Sequence, residues 1–218
     1  NILLSSLMND IILKTRYKIF YVSPKIITYC IFQSKYVDYT QWSLSKHHPH
    51  AGDDRGVFKE DPEGFIKINN SNWDYKPGIL FSKLLEFKAL INHYNGKENW
   101  KKSEFAVRYL NYLKKQKIKN DRNISNLRNF LSEREKQIDK LFNSILKKGV
   151  YPKDIKQNKK SFIDNISVVL TKNKKLYFNN RGHHRLSISK ILGIKKIPVK
   201  ITLAKSKKDL NEFNLSSV

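Results

Sequence analysis

The sequence predicts an α+β fold: a small mixed β-sheet core with a helical layer over residues 79–148 and an N-terminal helix over residues 1–20. Three observations carry this. ISVVL (Ile166–Leu170), LYF (Leu176–Phe178) and IPVKITL (Ile197–Leu203) are short runs rich in β-branched, aromatic and aliphatic residues, as strands are. Between Ile79 and Lys148, apolar residues recur at helical spacing in three separate stretches. The order strand–strand–helix–strand at the end of the chain fits an α+β sheet better than a doubly wound one.

Taken in order, Leu3, Leu4, Leu7, Met8, Ile11 and Ile12 fall at helical spacing, and Lys14, Arg16 and Lys18 follow them. The segment reads as a packing helix, with a membrane surface as the other partner for such a basic amphipathic stretch. Residues 21–218 then read as one domain. Ile26–Phe32 favours a strand. Pro49, Gly52, Gly56, Pro62 and Gly64 break residues 41–64 into turns, and Phe65–Ile68 is a short strand. A helix is predicted from near Ile79 to Gly96, a second from Trp100 to Lys115 and a long third from Ser125 to Lys148, stopped by Gly149 and Pro152. Thr171–Lys175 turns between the first two of the late strands. His183–Leu192 is helical, with Leu186, Ile188, Ile191 and Leu192 apolar and Gly193 as its cap.

Composition narrows the classes. With 39% hydrophobic residues the chain is not of disordered type, and no apolar run reaches the roughly 18 residues of a membrane span. The lone cysteine, Cys30, excludes a disulfide scaffold within the chain, fits a reducing cytoplasm and reads as a buried inert thiol. The 43 basic against 19 acidic residues give a net charge of +24, which suggests a polyanionic partner. The weight of that signal is modest. Most of the charge is lysine rather than arginine, and abundant Lys, Asn and Ile together are what an AT-rich coding sequence produces.

Chemistry concentrates at Asn180-Arg181-Gly182-His183-His184-Arg185, where a strand runs into a helix. The first amides of a helix lack partners inside it, and the dipole there is positive. Gly182 would let the backbone approach an anion closely. His183 and His184 add donors, and Arg185 can grip two phosphate oxygens. A glycine alone would be a plain turn. The combination points to an anion site.

At these residues the sequence resembles the ParB/sulfiredoxin superfamily. The tail LYFNNRGHHRLSISKILGIKKIPVKI is similar to the end of that domain, where an Asp-Gly-x-His-Arg type loop precedes a helix and an Ile-Pro-Val strand. Upstream, Ser144–Pro152 and Tyr21–Ile26 resemble two further segments. Trp73-Asp74 and the helices after it resemble an uncharacterised ParB-like subgroup with a helical insert. Arg181 stands where the family often has Asp. The resemblance implies a ParB/sulfiredoxin-like core and a nucleotide phosphate held by Asn180 through Arg185, from ATP or another nucleoside triphosphate. Mg²⁺ would be expected with the nucleotide.

The leading expectation is therefore a phosphotransferase acting on a small hydroxyl-bearing acceptor. Arg181, Arg185 and the loop amides would stabilise charge, with Asp74, His184 and Arg185 as catalytic residues. The alternative is a ParB-like nucleic-acid-binding protein or nuclease, although no helix-turn-helix pattern is seen. His47, His48, His50, Asp53 and Asp54 crowd together, but Pro49 makes them a loop and their spacing matches no closed metal site. Glu133, Glu135 and Asp139 read as a solvated helix face.

Overall fold

The computed structural model describes residues 11–13, 18–30, 66–70, 79–115, 127–152, 165–179 and 181–216. It is a mixed α/β structure on one 8-stranded mixed sheet. The strands are β1 (Ile11–Leu13), β2 (Phe20–Val22), β3 (Tyr29–Cys30), β4 (Ile66–Ile68), β5 (Ile79–Leu80), β6 (Ile166–Leu170), β7 (Leu176–Phe178) and β8 (Ile197–Ala204). The helices are α1 (Leu85–Tyr94), α2 (Glu104–Lys115), α3 (Leu127–Lys148), α4 (His183–Ile191) and α5 (Lys207–Ser216). The strands run β1-β4-β8-β6-β7-β3-β5, and β2 joins β8 off this path.

The longest strand, β8, organises the sheet. On one side it pairs in parallel with β6; on the other it pairs antiparallel with β2 over Ile197–Val199 and in parallel with β4 near Leu203. All of β6, β7 and β8 is buried. That is why these strands read as continuous apolar runs rather than as alternating ones. Alternate side chains still divide between two faces. Ile166, Val168, Leu170, Leu176, Phe178, Ile197, Val199 and Ile201 enter the main core, whereas Val169, Tyr177 and Leu203 pack with Tyr29 on the reverse face.

Leu203 reaches the reverse face because the register slips at Thr202. Val168 pairs with Ile201 but Val169 pairs with Leu203. The extra residue is a β-bulge, and it inverts the facing of the residues after it, so Ala204 returns to the main core. The slip is plugged by polar groups. Asn179 Nδ2 donates to Thr202 Oγ1 at 2.9 Å, and Thr202 Oγ1 donates to the Val168 carbonyl at 3.2 Å, all buried.

Helices α1 to α3 form a second core from Ala89, Leu90, Trp100, Phe105, Ala106, Leu131 and Ile138. Polar ties fix their mutual placement. His93 accepts from the Trp100 amide at 3.2 Å, and its Nε2 lies 3.0 Å from Asp139 Oδ1, to which the Tyr94 hydroxyl donates at 3.2 Å.

Three sequence expectations are corrected. Ile11–Leu13 is a strand paired antiparallel with Ile66–Ile68, so no continuous helix spans residues 1–20; residues 1–10 lie outside the described set. The apolar pair Ile11-Ile12 suits an edge strand as well as a helix face, and its partner decides. The strand expected from Ile26 begins only at Tyr29, because Ser23 caps a 3₁₀ turn that starts at Pro24. The helix expected near Ile79 starts at Leu85, since Ile79 and Leu80 are taken into the sheet by Cys30 and Tyr29. Cys30 is buried as expected, and burial pushes its thiol far above the usual range. No described helix is long and apolar enough to cross a membrane.

Helix α4 lies over the sheet, with Leu186 and Ile188 completely buried. Its Lys190 Nζ donates to the Pro24 carbonyl at 2.5 Å and stands 5.4 Å above the Phe81 ring. Burial pushes this amine down to about 8. An unfolded chain holds that proton up to about 10.5, so between these values the unfolded state binds more protons and stability rises with pH. Wild type is therefore expected to gain stability relative to Lys190→Met as pH goes from 7 to 9, measured as urea midpoints. A pH-independent gap between the two would contradict the assignment.

Candidate functional site

The end of β7 is clamped to β6 before α4 begins. Asn179 N donates to the Ser167 carbonyl at 2.8 Å, Ser167 N donates to the Arg181 carbonyl at 3.1 Å, and Arg181 N donates to the Asn179 carbonyl at 2.9 Å. The chain then needs a sharp reversal, and Gly182 supplies it with φ +80° and ψ 22°. The Leu186 amide closes the first turn on the Gly182 carbonyl at 2.9 Å. A Cβ on Gly182 would lie 2.8 Å from both the Cα and the Cγ1 of Ile166. The Cβ direction of Gly182 is filled by β6, so close packing of strand and helix excludes any larger residue here.

His183, His184 and Arg185 form the first turn of α4, and Arg181 precedes it; all four are half-buried. Both imidazoles meet a carboxylate from another helix. His183 Nε2 lies 2.8 Å from Glu86 Oε2, and His184 Nε2 lies 2.7 Å from Glu86 Oε1. The two rings are tilted against each other with centroids 4.0 Å apart. Glu86 belongs to the first turn of α1 and is 5% exposed.

Burial alone would raise the Glu86 carboxyl, but the two imidazoles outweigh it and hold the group well below its ordinary value, so it is ionised at neutral pH. Burial, and then the neighbouring His183 ring, push His184 down to about 4, which outweighs the opposite pull of Glu86. His184 is thus a neutral imidazole at neutral pH. The trio is a buried anionic carboxylate facing nitrogen donors, an arrangement able to orient imidazoles or to ligate a cation.

Arg181, Gly182, His183, His184 and Arg185 stand together at the start of α4, and the Nε2 atoms of both histidines turn toward Glu86. Asn180 and Asp74 lie outside the described residues, as do Trp73, His47, His48, His50, Asp53 and Asp54. Glu133 pairs with Lys136 at 2.9 Å, Glu135 with Lys101 at 3.2 Å, and Asp139 holds His93 and Tyr94. Among the described residues, Glu133 thus makes the local helix-face pair expected of these acids, whereas Glu135 and Asp139 reach other helical elements.

Glu86 is the residue that sequence reasoning missed. Its signal was present: an acid set among Leu84, Leu85, Phe87, Ala89 and Leu90, on a helix face that must be buried. A buried carboxylate needs a partner, and adjacent histidines are a suitable one.

A second feature lies at the other end of β6 and β8. An open groove of about 490 Å³ is lined by Asn70, Lys172, Lys174, Lys205, Lys208 and Glu212, among others. Glu212 already engages Lys174 at 3.4 Å and Lys208 at 4.0 Å. The start of α4 abuts Ile166, at the beginning of β6, whereas Lys172 and Lys205 follow the ends of β6 and β8, so the sheet separates the two features. The chain matches no known protein-family model, no curated protein and no solved structure, and the reading of the site rests on its own geometry.

Proposed function

We propose that the chain binds phosphate esters of the nucleotide class, ATP foremost, at the start of α4 and acts in phosphoryl transfer to a small hydroxyl-bearing acceptor. The observation that carries this reading is the charge arrangement. Arg181 and Arg185 flank a helix start that has no acid in its first turn, and the carboxylate beside it, Glu86, is engaged by two imidazoles. Such a start favours an anion through its dipole and its outward amides. The resemblance of Leu176–Ile201 to the ParB/sulfiredoxin loop supports the same assignment.

The roles follow from placement. Arg185 and Arg181 neutralise phosphate charge, and the α4 amides orient it. The imidazoles lie behind the phosphate, held by Glu86. Mg²⁺, expected with a nucleotide, prefers oxygen ligands and water. Two imidazoles and one carboxylate do not fit it as a protein-held ion, so Mg²⁺ would arrive on the nucleotide's own phosphates.

Calorimetric titration with ATP, with and without Mg²⁺, tests the reading. Arg185→Ala is expected to weaken binding about 10- to 100-fold, the scale of a lost charge-assisted contact. No binding to wild type, or equal binding to Arg185→Ala, would refute it. The net charge of +24 and the lysine-lined groove favour a second reading, a nucleic-acid-binding protein or nuclease. Duplex retardation with a steep salt dependence, in a protein that ignores ATP, would select it.

A further inference from the structure

We infer that Glu86, His183 and His184 form a binding site for one divalent transition-metal ion of the zinc type. The inference adds a resident metal to the phosphate-ester reading but stands without it, because it rests on the trio alone.

Four observations converge. The first is geometric: one carboxylate oxygen and the two ring nitrogens can each serve as a ligand, and these atoms all lie within 4.8 Å of one another. The second is proximity. The contacts of 2.8 and 2.7 Å draw both ring nitrogens to one buried carboxylate, and a cation set among the three ligand atoms would neutralise that buried charge. Ligands of a tetrahedral ion with zinc-type bond lengths lie about 3.3 Å apart, so binding requires the trio to spread by roughly half an ångström.

The third observation is ligand chemistry. Two imidazoles with one carboxylate select zinc, iron, cobalt or manganese over magnesium and calcium. Three protein ligands also leave at least one position open, which is the pattern of a reactive rather than a structural metal.

The fourth is the surrounding field. Glu86 is in the first turn of α1 and the histidines are in the first turn of α4, so two helix N-termini meet at the trio. Their dipoles are positive toward it, and Arg134 of α3 adds positive charge beside His184. A dication on one carboxylate leaves a net positive site in a positive field. The open position is therefore suited to an anion, either hydroxide or a phosphate oxygen.

The test uses the full chain, stripped with a chelator and titrated with Zn²⁺ or Co²⁺ alone, without phosphate. One equivalent per chain is expected, together with a Co²⁺ visible spectrum of low-coordinate type and a higher melting temperature with Zn²⁺. Glu86→Gln, which keeps the volume, and His184→Ala are each expected to weaken binding about 100-fold. His47→Ala/His48→Ala/His50→Ala is expected to retain it. The metal-induced rise in melting temperature keeps the test decisive should the Glu86 or His184 variants fold poorly. Absence of stoichiometric binding, unchanged affinity in folded Glu86→Gln, or loss confined to the His47/His48/His50 variant would each overturn the inference. ATP binding without stoichiometric metal binding would preserve the phosphate reading alone. Metal binding without ATP binding would preserve this one alone.

Discussion

Gly182→Ala is expected to lower folding stability by about 2–5 kcal/mol, summing the cost of a left-handed backbone for a non-glycine residue and that of overpacking. The steric part is unusual in what it meets. The new methyl would stand 2.8 Å from the Cα of Ile166, and backbone in a fully buried strand cannot rotate aside as a side-chain terminus can. Trimming Ile166 to Ala is thus expected not to rescue the variant. Gly149 and Gly193 serve as controls. They also have positive φ, +74° and +63°, but nothing lies within 4 Å of an added Cβ. Alanine there is expected to cost only the backbone part, about 1–2 kcal/mol. Denaturant midpoints for the three variants check this, and three equal losses would show that the contact with Ile166 is without consequence.

Glu86→Ala should be the other large loss, about 3–5 kcal/mol in the metal-free protein. The substitution removes the carboxylate that faces both imidazoles, leaves a void between α1 and α4, and strands two polar rings that are 14% and 13% exposed. Glu86→Gln keeps the volume and two polar atoms, and is expected to lose clearly less. The comparison separates packing from charge: equal losses in both variants would mean that the negative charge itself dominates. A change below about 1 kcal/mol in Glu86→Ala would mean that the trio contributes little to the junction of the two helices. Denaturation curves at pH 7 with a chelator present supply the measurement.

The C-terminal part of this architecture was legible because its signals are local. β6, β7 and β8 are buried apolar runs, α4 between them is punctuated by Gly182 and Gly193, and the limits of all four follow from residues within a few positions. The N-terminal region resisted because its elements are decided by distant partners. Ile11–Leu13 is a strand only by virtue of Ile66–Ile68, and Ile79-Leu80 only by virtue of Tyr29-Cys30. Helix α5, from Lys207, was not anticipated; its apolar residues Leu210 and Phe213 are few, and its start depends on Ser206, whose hydroxyl accepts from the Asp209 amide.

The candidate site divides in the same way. That a helix starts at Gly182 with two histidines and an arginine in its first turn could be read from adjacent residues. Where the imidazoles turn could not, because the carboxylate that draws them belongs to α1 and arrives only through tertiary packing. Gly182 illustrates the limit of residue-type reasoning. A glycine before a basic helix start suits an anion, but it suits an adjoining strand equally well, and the close approach of Ile166 comes only from tertiary packing.

The placement of β8 has a consequence for how the chain acquires its shape. The strand that β2, β4 and β6 all require is made from Ile197–Ala204, near the end of the sequence. During vectorial synthesis the earlier strands emerge without their common neighbour and must wait for it. Such long-range dependence implies slow assembly and a period in which unsatisfied edges are open to wrong pairings. A polypeptide stopped before Ile197 would accordingly leave β2 unpaired and the β1-β4 pair cut off from the β6-β7-β3-β5 strands.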